Sequence, residues 1–176
     1  FAGMTHRFDL WKPVIGAVNG LCLGGGMEML GGCDLAVAAE HARFGLPESR
    51  VGLAASGGGM LQRLPREIAM KHAMALVLTG TPISAQEAWR IGLINEVVPA
   101  DRLLARAREL AEEILACAPL AVMASKQVML QSLAQADLAA VMHENYPILQ
   151  QMLASNDAIE GPKAFAEKRK PNWTGT

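Results

Sequence analysis

Gly24-Gly25-Gly26-Met27-Glu28, with Pro47-Glu48 further along the chain, sets bare backbone amides beside two carboxylates. Glycines let a ligand approach the main chain because no side chain stands in the way. Both glutamates stand in apolar or glycine-rich company, where an unpaired carboxylate is costly. Amides that can hold an oxyanion, beside carboxylates that can move protons, are the parts needed for enolate chemistry on a carbonyl compound. Each part also has a plainer reading. A glycine run makes a tight turn, an acidic residue in the first turn of a helix complements its dipole, and a glutamate after proline serves as a solvated turn residue. Taken together, the two carboxylates suit acid–base addition across a double bond, in which one group activates water and the other protonates carbon.

Other chemistries find less support. No G-x-G-x-x-G and no G-x-x-x-x-G-K-[ST] occurs, which argues against a nucleotide-phosphate loop. Ser56, ahead of the second run Gly57-Gly58-Gly59, lacks a G-x-S-x-G elbow and a recognisable Ser-His-Asp order. His6, His41, His72 and His143 show no ligand spacing with one another or with Cys22, Cys33 and Cys117, so no metal is expected. The cysteines, odd in number and in apolar contexts, read as buried reduced thiols of a reducing compartment. Lys168-Arg169-Lys170 is either a solvated helix end or a contact for an anionic phosphate group.

With 176 residues, 51% of them hydrophobic and 19% charged, the chain is long enough for about one well-buried domain. A net charge of −1 and 5% aromatic residues leave neither a basic footprint nor a stacking surface for nucleic acid. The apolar stretch from Val14 to Ala39 is broken by Asn19, Glu28 and Asp34, so it cannot cross a bilayer as a helix. The opening Phe1-Ala2-Gly3-Met4 is neither an initiator methionine nor a signal peptide, and the chain is expected to begin inside a longer protein.

The elements that must position these residues follow from the pattern. Pro13–Val18 is a short apolar run closed by Asn19-Gly20 and reads as a buried strand. Leu21-Cys22-Leu23 leads into the glycines, Met27–Cys33 reads as a short helix with an acidic first turn, and Asp34–Ala39 as a second buried strand. Strand, glycine turn, helix and strand predict a right-handed crossover and a parallel sheet. Ala42–Gly45 reads as an edge strand before the Leu46-Pro47-Glu48 turn. Glu67–Leu78 is predicted as one helix closed by Thr79-Gly80. Ser84-Ala85-Gln86-Glu87 is a capping box opening another helix that ends near Gly92, and Leu93–Val98 a short strand. From Asp101 the pattern turns helical. Leu103, Leu104, Ala107, Leu110, Ala111, Ile114 and Leu115 recur at helical spacing, and Pro119 breaks that helix. Leu120–Ala134 follows, then a helix from Asp137 that Pro147 must kink, then one over Asp157–Arg169 interrupted or begun by Gly161-Pro162. Residues 1–100 thus form an α/β part and 101–176 a helical part.

In collinear order these segments resemble the crotonase (enoyl-CoA hydratase/isomerase) superfamily. The resemblance is carried by Lys12–Gly20, Leu23–Glu28, Cys33-Asp34-Leu35, Phe44–Glu48 and Gly58-Gly59 before Gln62-Arg63-Leu64. Leu78-Thr79-Gly80 with Ile83–Ala88, Gly92-Leu93-Ile94, Val97-Val98-Pro99 and Phe165–Arg169 complete it. It implies an α/β fold, a crotonase-like spiral of β-β-α turns with a C-terminal helical oligomerisation region, over the last part of the family domain. It also implies acyl-CoA thioester substrates and an enolate held in a two-amide oxyanion hole, in the setting of fatty-acid metabolism. Gly25 matches the glycine giving one amide, Glu28 the carboxylate that activates water, and Glu48 the one exchanging a proton at the α-carbon. The second amide is expected to lie outside this chain. Leu23, Gly24 and Pro47 match substrate-binding positions, and Phe165 and Lys168 positions near the CoA adenine or phosphates. Retention of both carboxylates favours a hydratase or dehydratase. An isomerase and a non-catalytic acyl-CoA binder are the alternatives. The loop Gly52–Gly59, Asp157–Pro162 and Pro171-Asn172-Trp173 look closer to carnitinyl-CoA dehydratase-like members than to the usual enoyl-CoA hydratase form. No cofactor or metal is implied, since coenzyme A is part of the substrate. The implied assembly is a homotrimer or dimer of trimers, without nucleic acid or membrane partners, in a bacterial-type cytoplasm or a mitochondrial matrix.

Overall fold

The computed structural model describes residues 2–176, and the chain divides into two compact units. One holds the residues up to Phe8 with Val14–Leu110, and the other Asp9–Pro13 with Ala111–Thr176.

The first unit is built on two three-stranded sheets. Strands β1 (Ile15–Val18), β3 (Leu35–Ala39) and β6 (Glu96–Val98) run parallel in the order β1-β3-β6. Strands β2 (Leu21–Leu23), β4 (Arg43–Gly45) and β5 (Ile83–Ser84) form the second sheet in the order β2-β4-β5, with β2 parallel and β5 antiparallel to β4. The Asn19-Gly20 dipeptide carries the chain from β1 into β2, and Glu40-His41-Ala42 carries it from β3 into β4. The two links are tied together where the Arg43 amide donates to the Gly20 carbonyl at 3.0 Å. Each strand pair is followed by a helical segment: α1 (Gly25–Leu30) after β2 and a 3₁₀ turn (Pro47–Val51) after β4. The same step is therefore taken twice, and because β2 and β4 are parallel neighbours both helical segments leave from the same end of the second sheet.

Polar side chains splice the strand ends. Asp34 accepts the Val14 amide at 2.7 Å, and Asn95 accepts the Ala36 amide at 2.7 Å. Helices α2 (Met60–Glu67), α3 (Met70–Thr79), α4 (Ala85–Arg90) and α5 (Leu103–Leu115) follow in order. Met27, Phe44, Leu46, Met60 and Leu64 are fully buried and draw α1, β4, the 3₁₀ turn and α2 onto one core. Leu103 and Leu110 of α5 pack on Val37, Ala39 and Val98.

Several expectations are corrected. Helix α1 starts at Gly25, not Met27, so Gly25 and Gly26 are its first residues and not a preceding loop. Leu21-Cys22-Leu23 is a strand in its own right. Ala42–Gly45 is not at an edge, because β4 lies between β2 and β5. The helix expected over Glu67–Leu78 starts later, at Met70, because the buried Ile68 takes an extended conformation and Glu67 ends the preceding helix, α2. Ser84 does accept the Glu87 amide at 3.2 Å, but the Glu87 carboxylate goes to Arg90 rather than back to the cap. Cys22 is buried, its thiol pushed up to about 12 by burial and the neighbouring Cys33, whereas Cys117 is exposed. A thiol in that state is a poor nucleophile.

In the second unit, Pro119 opens α6 (Pro119–Ser132). Pro147 does not kink a helix. It starts α8 (Pro147–Leu153), separate from α7 (Leu138–Met142), because proline suits a first turn, where its missing N–H has no partner to lose. Helix α9 (Asn156–Ala166) runs through Gly161-Pro162 without a break, and the Trp173 ring lies against Gly161, where a Cβ would meet it at 3.3 Å. The C-terminal residues are clasped onto α9. Asp157 accepts the amides of Thr174 and Gly175, and Glu160 accepts both Arg169 terminal nitrogens and the Asn172 amide.

The Arg169 pair and the Asn172 amide hold the Glu160 carboxyl at about 2. Hydrogen bonds from Thr174, then Gly175, likewise lower Asp157. A depressed folded-state pKa stabilises above the unfolded value, near 4.3 for glutamate, and that stabilisation fades as pH falls toward the folded value. The unfolding midpoint should therefore drop less steeply in Glu160→Gln than in the parent between about pH 5 and pH 2. Parallel slopes would show that the clasp contributes nothing.

Candidate active site

Gly24 caps α1 with φ 52° and ψ −118°, a conformation that side-chain-bearing residues avoid. Its amide donates to the Gly45 carbonyl at 3.0 Å and its carbonyl accepts the Glu28 amide at 3.0 Å, which fixes the β2–α1 junction against the end of β4. The Gly25 amide comes next, at the first helical position. An amide there has no acceptor within its own helix and sits at the positive end of the helix dipole.

Glu28 stands one turn further on, and only 5% of it is exposed. Its Oε1 accepts the Gly58 amide at 2.6 Å, a charge-assisted bond between segments thirty residues apart. Gly57 lies beside the other oxygen, where a Cβ would stand 3.6 Å from Oε2. Glu28 is therefore turned toward the second glycine run, and its role is not confined to complementing the α1 dipole.

Glu48 is the second residue of the 3₁₀ turn, entered through the buried Leu46 and through Pro47, whose ring presets the turn. Gly52, at φ 76°, closes the turn, and the amides of Gly52 and Leu53 both donate to the Glu48 carbonyl. The side chain reaches across to the α1 junction. Its Oε1 lies 3.1 Å from where a Cβ on Gly24 would be. Its Oε2 is buried, and among the described residues no donor reaches it. Buried carboxylate oxygens are ordinarily paired, so an orphan one is an unusual expense of folding energy at this position.

Of the two carboxylates, Glu48 reaches the Gly24 cap and Glu28, one turn into the same helix, is tethered to the Gly58 amide, so one has an oxygen left over and the other is held through a single oxygen. Such a set can accept and deliver protons on a group held at the Gly25 amide. Among the described residues, no three His, Cys, Asp or Glu side chains gather as a metal site.

The family profile for enoyl-CoA hydratase/isomerase matches residues 1–176. The chain belongs to the enoyl-CoA hydratase/isomerase family. Among curated relatives, it is 42% identical to a carnitinyl-CoA dehydratase of Proteus mirabilis and 43% to one of Salmonella typhi, each alignment covering 99% of this chain and 68% of the relative. Among solved structures, the enoyl-CoA hydratase of Mycobacterium tuberculosis is 44% identical, with a TM-score of 0.91 over 98% of this chain and 67% of that one. An enoyl-CoA hydratase of Bacillus anthracis is 40% identical, with a TM-score of 0.89 over 95% of this chain and 64% of that one. The α/β fold is therefore the crotonase-like fold of this family.

Of the enoyl-CoA hydratase/isomerase positions singled out in the sequence, Leu23, Gly24, Gly25, Glu28, Pro47 and Glu48 come together in the first unit. Leu23 pairs with Gly45 in register, and its side chain lies against the Gly45 backbone. Phe165 and Lys168 belong to the second unit, Phe165 being 87% exposed near the end of α9 and Lys168 just past it at φ 55°. A cavity of about 470 Å³ in that unit is lined by Asp157, Glu160, Lys163, Arg169 and Asn172, and neither Glu28 nor Glu48 borders it.

Sequence reasoning missed Gly58, the donor to Glu28, although the second glycine run was in view. It also missed Thr5 and Arg63. The Arg63 guanidinium donates to the carbonyls of Gly31 and Thr5, both at 2.7 Å, which holds the Thr5 side chain in the wall behind Gly58.

Proposed function

We propose that the chain is an acyl-CoA hydratase/dehydratase that adds or removes water across the 2,3 double bond of an enoyl-CoA thioester. The observation that carries this reading is the buried Glu48 oxygen without a donor, on a side chain that reaches the Gly24 cap of α1, the helix that carries the tethered Glu28. In hydration, the thioester oxygen accepts hydrogen bonds from the Gly25 amide and a second backbone amide. Water loses a proton to Glu28 and attacks the β-carbon. The double-bond electrons move onto the thioester oxygen as an enolate. The enolate collapses by taking a proton from Glu48 at the α-carbon. Dehydration runs these steps backwards, with Glu48 removing the α-proton and Glu28 protonating the departing hydroxyl. Each proton transfer contributes about 10²–10⁴-fold, and an oxyanion donor about 10²–10³-fold.

The reaction moves only water and protons, so no cofactor beyond the CoA of the substrate is required. In this reading Leu23, Gly24 and Pro47 flank the acyl group, and Phe165 and Lys168 meet the CoA adenine or phosphates, from a neighbouring subunit of a homotrimer or dimer of trimers. The names of the curated relatives favour one substrate in particular, carnitinyl-CoA. The test is a panel of 2-enoyl-CoA and carnitinyl-CoA thioesters offered to the full-length protein, with the conjugated enoyl absorbance followed. Turnover of at least one member is expected. Acyl-CoA binding without turnover of any would make the protein a non-catalytic binder, and double-bond migration without hydration would make it an isomerase.

A further inference from the structure

Glu48 occupies a five-residue 3₁₀ turn, too short to hold its own direction, and one of its carboxylate oxygens has no donor among the described residues. No hydrogen bond to that oxygen aims the side chain, so its direction depends on how the backbone of the turn is held. Two residues on, Arg50 reaches out of the turn to the C-terminal end of α3. Its Nε donates to the Thr79 carbonyl at 2.9 Å and its Nη2 to the Thr81 hydroxyl at 2.7 Å. Thr79 is the last residue of α3, where carbonyls lack intrahelical donors and the dipole is negative, so a guanidinium suits the place. Between the two bonds sits Gly80, in the left-handed conformation at φ 59°. A Cβ there would stand 3.0 Å from Arg50 Cγ and 3.2 Å from Pro47 Cα, so the backbone of Gly80 bears directly on the first residue of the Glu48 turn.

The geometry points to Arg50 as a positioning residue for Glu48: its two-pronged bond to the α3 terminus sets where the Glu48 carboxylate meets the substrate α-carbon. The inference rests on the proposed hydratase reading. Arg50 touches no reacting atom. A lysine has neither the planar fork nor the second fixed donor, so it reproduces the anchor only in part. Small errors of placement are amplified, since a displacement of about 1 Å at a reacting group lowers rate by about 10²-fold.

The test is made on the full-length protein with four variants: Arg50→Ala, Arg50→Lys, Thr81→Val and Glu48→Gln. The readouts are kcat, KM and the rate of solvent-deuterium exchange at the α-carbon of a saturated acyl-CoA, with unfolding midpoints measured alongside. Arg50→Ala should lower kcat and α-exchange together by about tenfold or more with KM within twofold. Arg50→Lys should recover part of the loss, and Thr81→Val, which removes one prong without touching charge, should show a smaller parallel loss. If Glu48→Gln abolishes exchange while Arg50→Ala and Thr81→Val stay within twofold of the parent, the positioning role is wrong and the hydratase reading stands. Losses in the Arg50 variants that fall on KM, or that track the unfolding midpoint and spare α-exchange, also overturn it. If Glu48→Gln itself leaves hydration and exchange intact, the hydratase reading fails and the positioning role fails with it.

Discussion

Replacing Glu28 or Glu48 by glutamine should each lower hydration by about 10²–10⁴-fold while leaving the protein folded. Glutamine keeps the shape of glutamate and an acceptor oxygen, so the Gly58 amide still has a partner in Glu28→Gln. In Glu48→Gln the buried oxygen that has no donor gives way to a neutral amide, which relieves the desolvation of a charge. Stability should therefore hold or rise as activity falls, the usual relation when a strained functional group is neutralised. Two measurements separate the roles. A saturated acyl-CoA has no double bond to hydrate, and exchange of its α-proton needs only the oxyanion amides and the base at the α-carbon. Glu48→Gln should abolish that exchange, whereas Glu28→Gln should keep it and lose hydration. The double variant should lose little more than the worse single one, because the two carboxylates act in one reaction. Undiminished hydration in both single variants would remove the proposed mechanism, and exchange lost only in Glu28→Gln would reverse the two assignments.

What the sequence made visible, and what it hid, divides by the range of the interaction. Strands β1 and β3 were legible because they are continuous apolar runs bounded by turn residues, but the burial this pattern implies holds only for β3; β1 lies at the edge of its sheet, half-buried with Ala17 exposed. Strand β2 was not, since three residues carry no period and Leu21 is 77% exposed. The central position of β4 depends on Ile83-Ser84, a two-residue partner forty positions away that no local pattern announces. Pro147 was read as a kink within one helix, but whether proline kinks a helix or begins one depends on the preceding residues, and Tyr146 takes the extended capping conformation. The glycine–glutamate pairing was legible because its chemistry lies in residue types. The bonds that orient it were hidden. Gly58 acts through a main-chain amide that every residue but proline possesses, and Arg50 binds a carbonyl and a hydroxyl in another element.

Gly58→Ala tests whether that hidden amide matters to activity or only to packing. Gly58 is not among the left-handed glycines, so alanine can adopt its backbone, and the penalty is steric alone. The added Cβ would stand 2.5 Å from Glu28 Cβ and 3.1 Å from both Glu28 Cδ and Thr5 Cγ2. The first distance is shorter than real carbon contacts, so either the loop or Glu28 must move, and in both cases the 2.6 Å bond between them is broken. Overpacking of this kind costs about 1–3 kcal/mol of stability. Displacing the water-activating carboxylate should cost about 10²-fold in kcat. Gly59 supplies the control. It sits at φ 80° with nothing closer than 3.9 Å to a Cβ, so Gly59→Ala strains the backbone without pressing on Glu28. Its cost should be about 1–2 kcal/mol of stability with kcat nearly unchanged. Steady-state kinetics and thermal unfolding on both variants decide the matter. If the two lose activity only in proportion to stability, the Gly58 amide is scaffold. If Gly58→Ala loses kcat far beyond Gly59→Ala at similar stability, the amide orients Glu28 for its work on water.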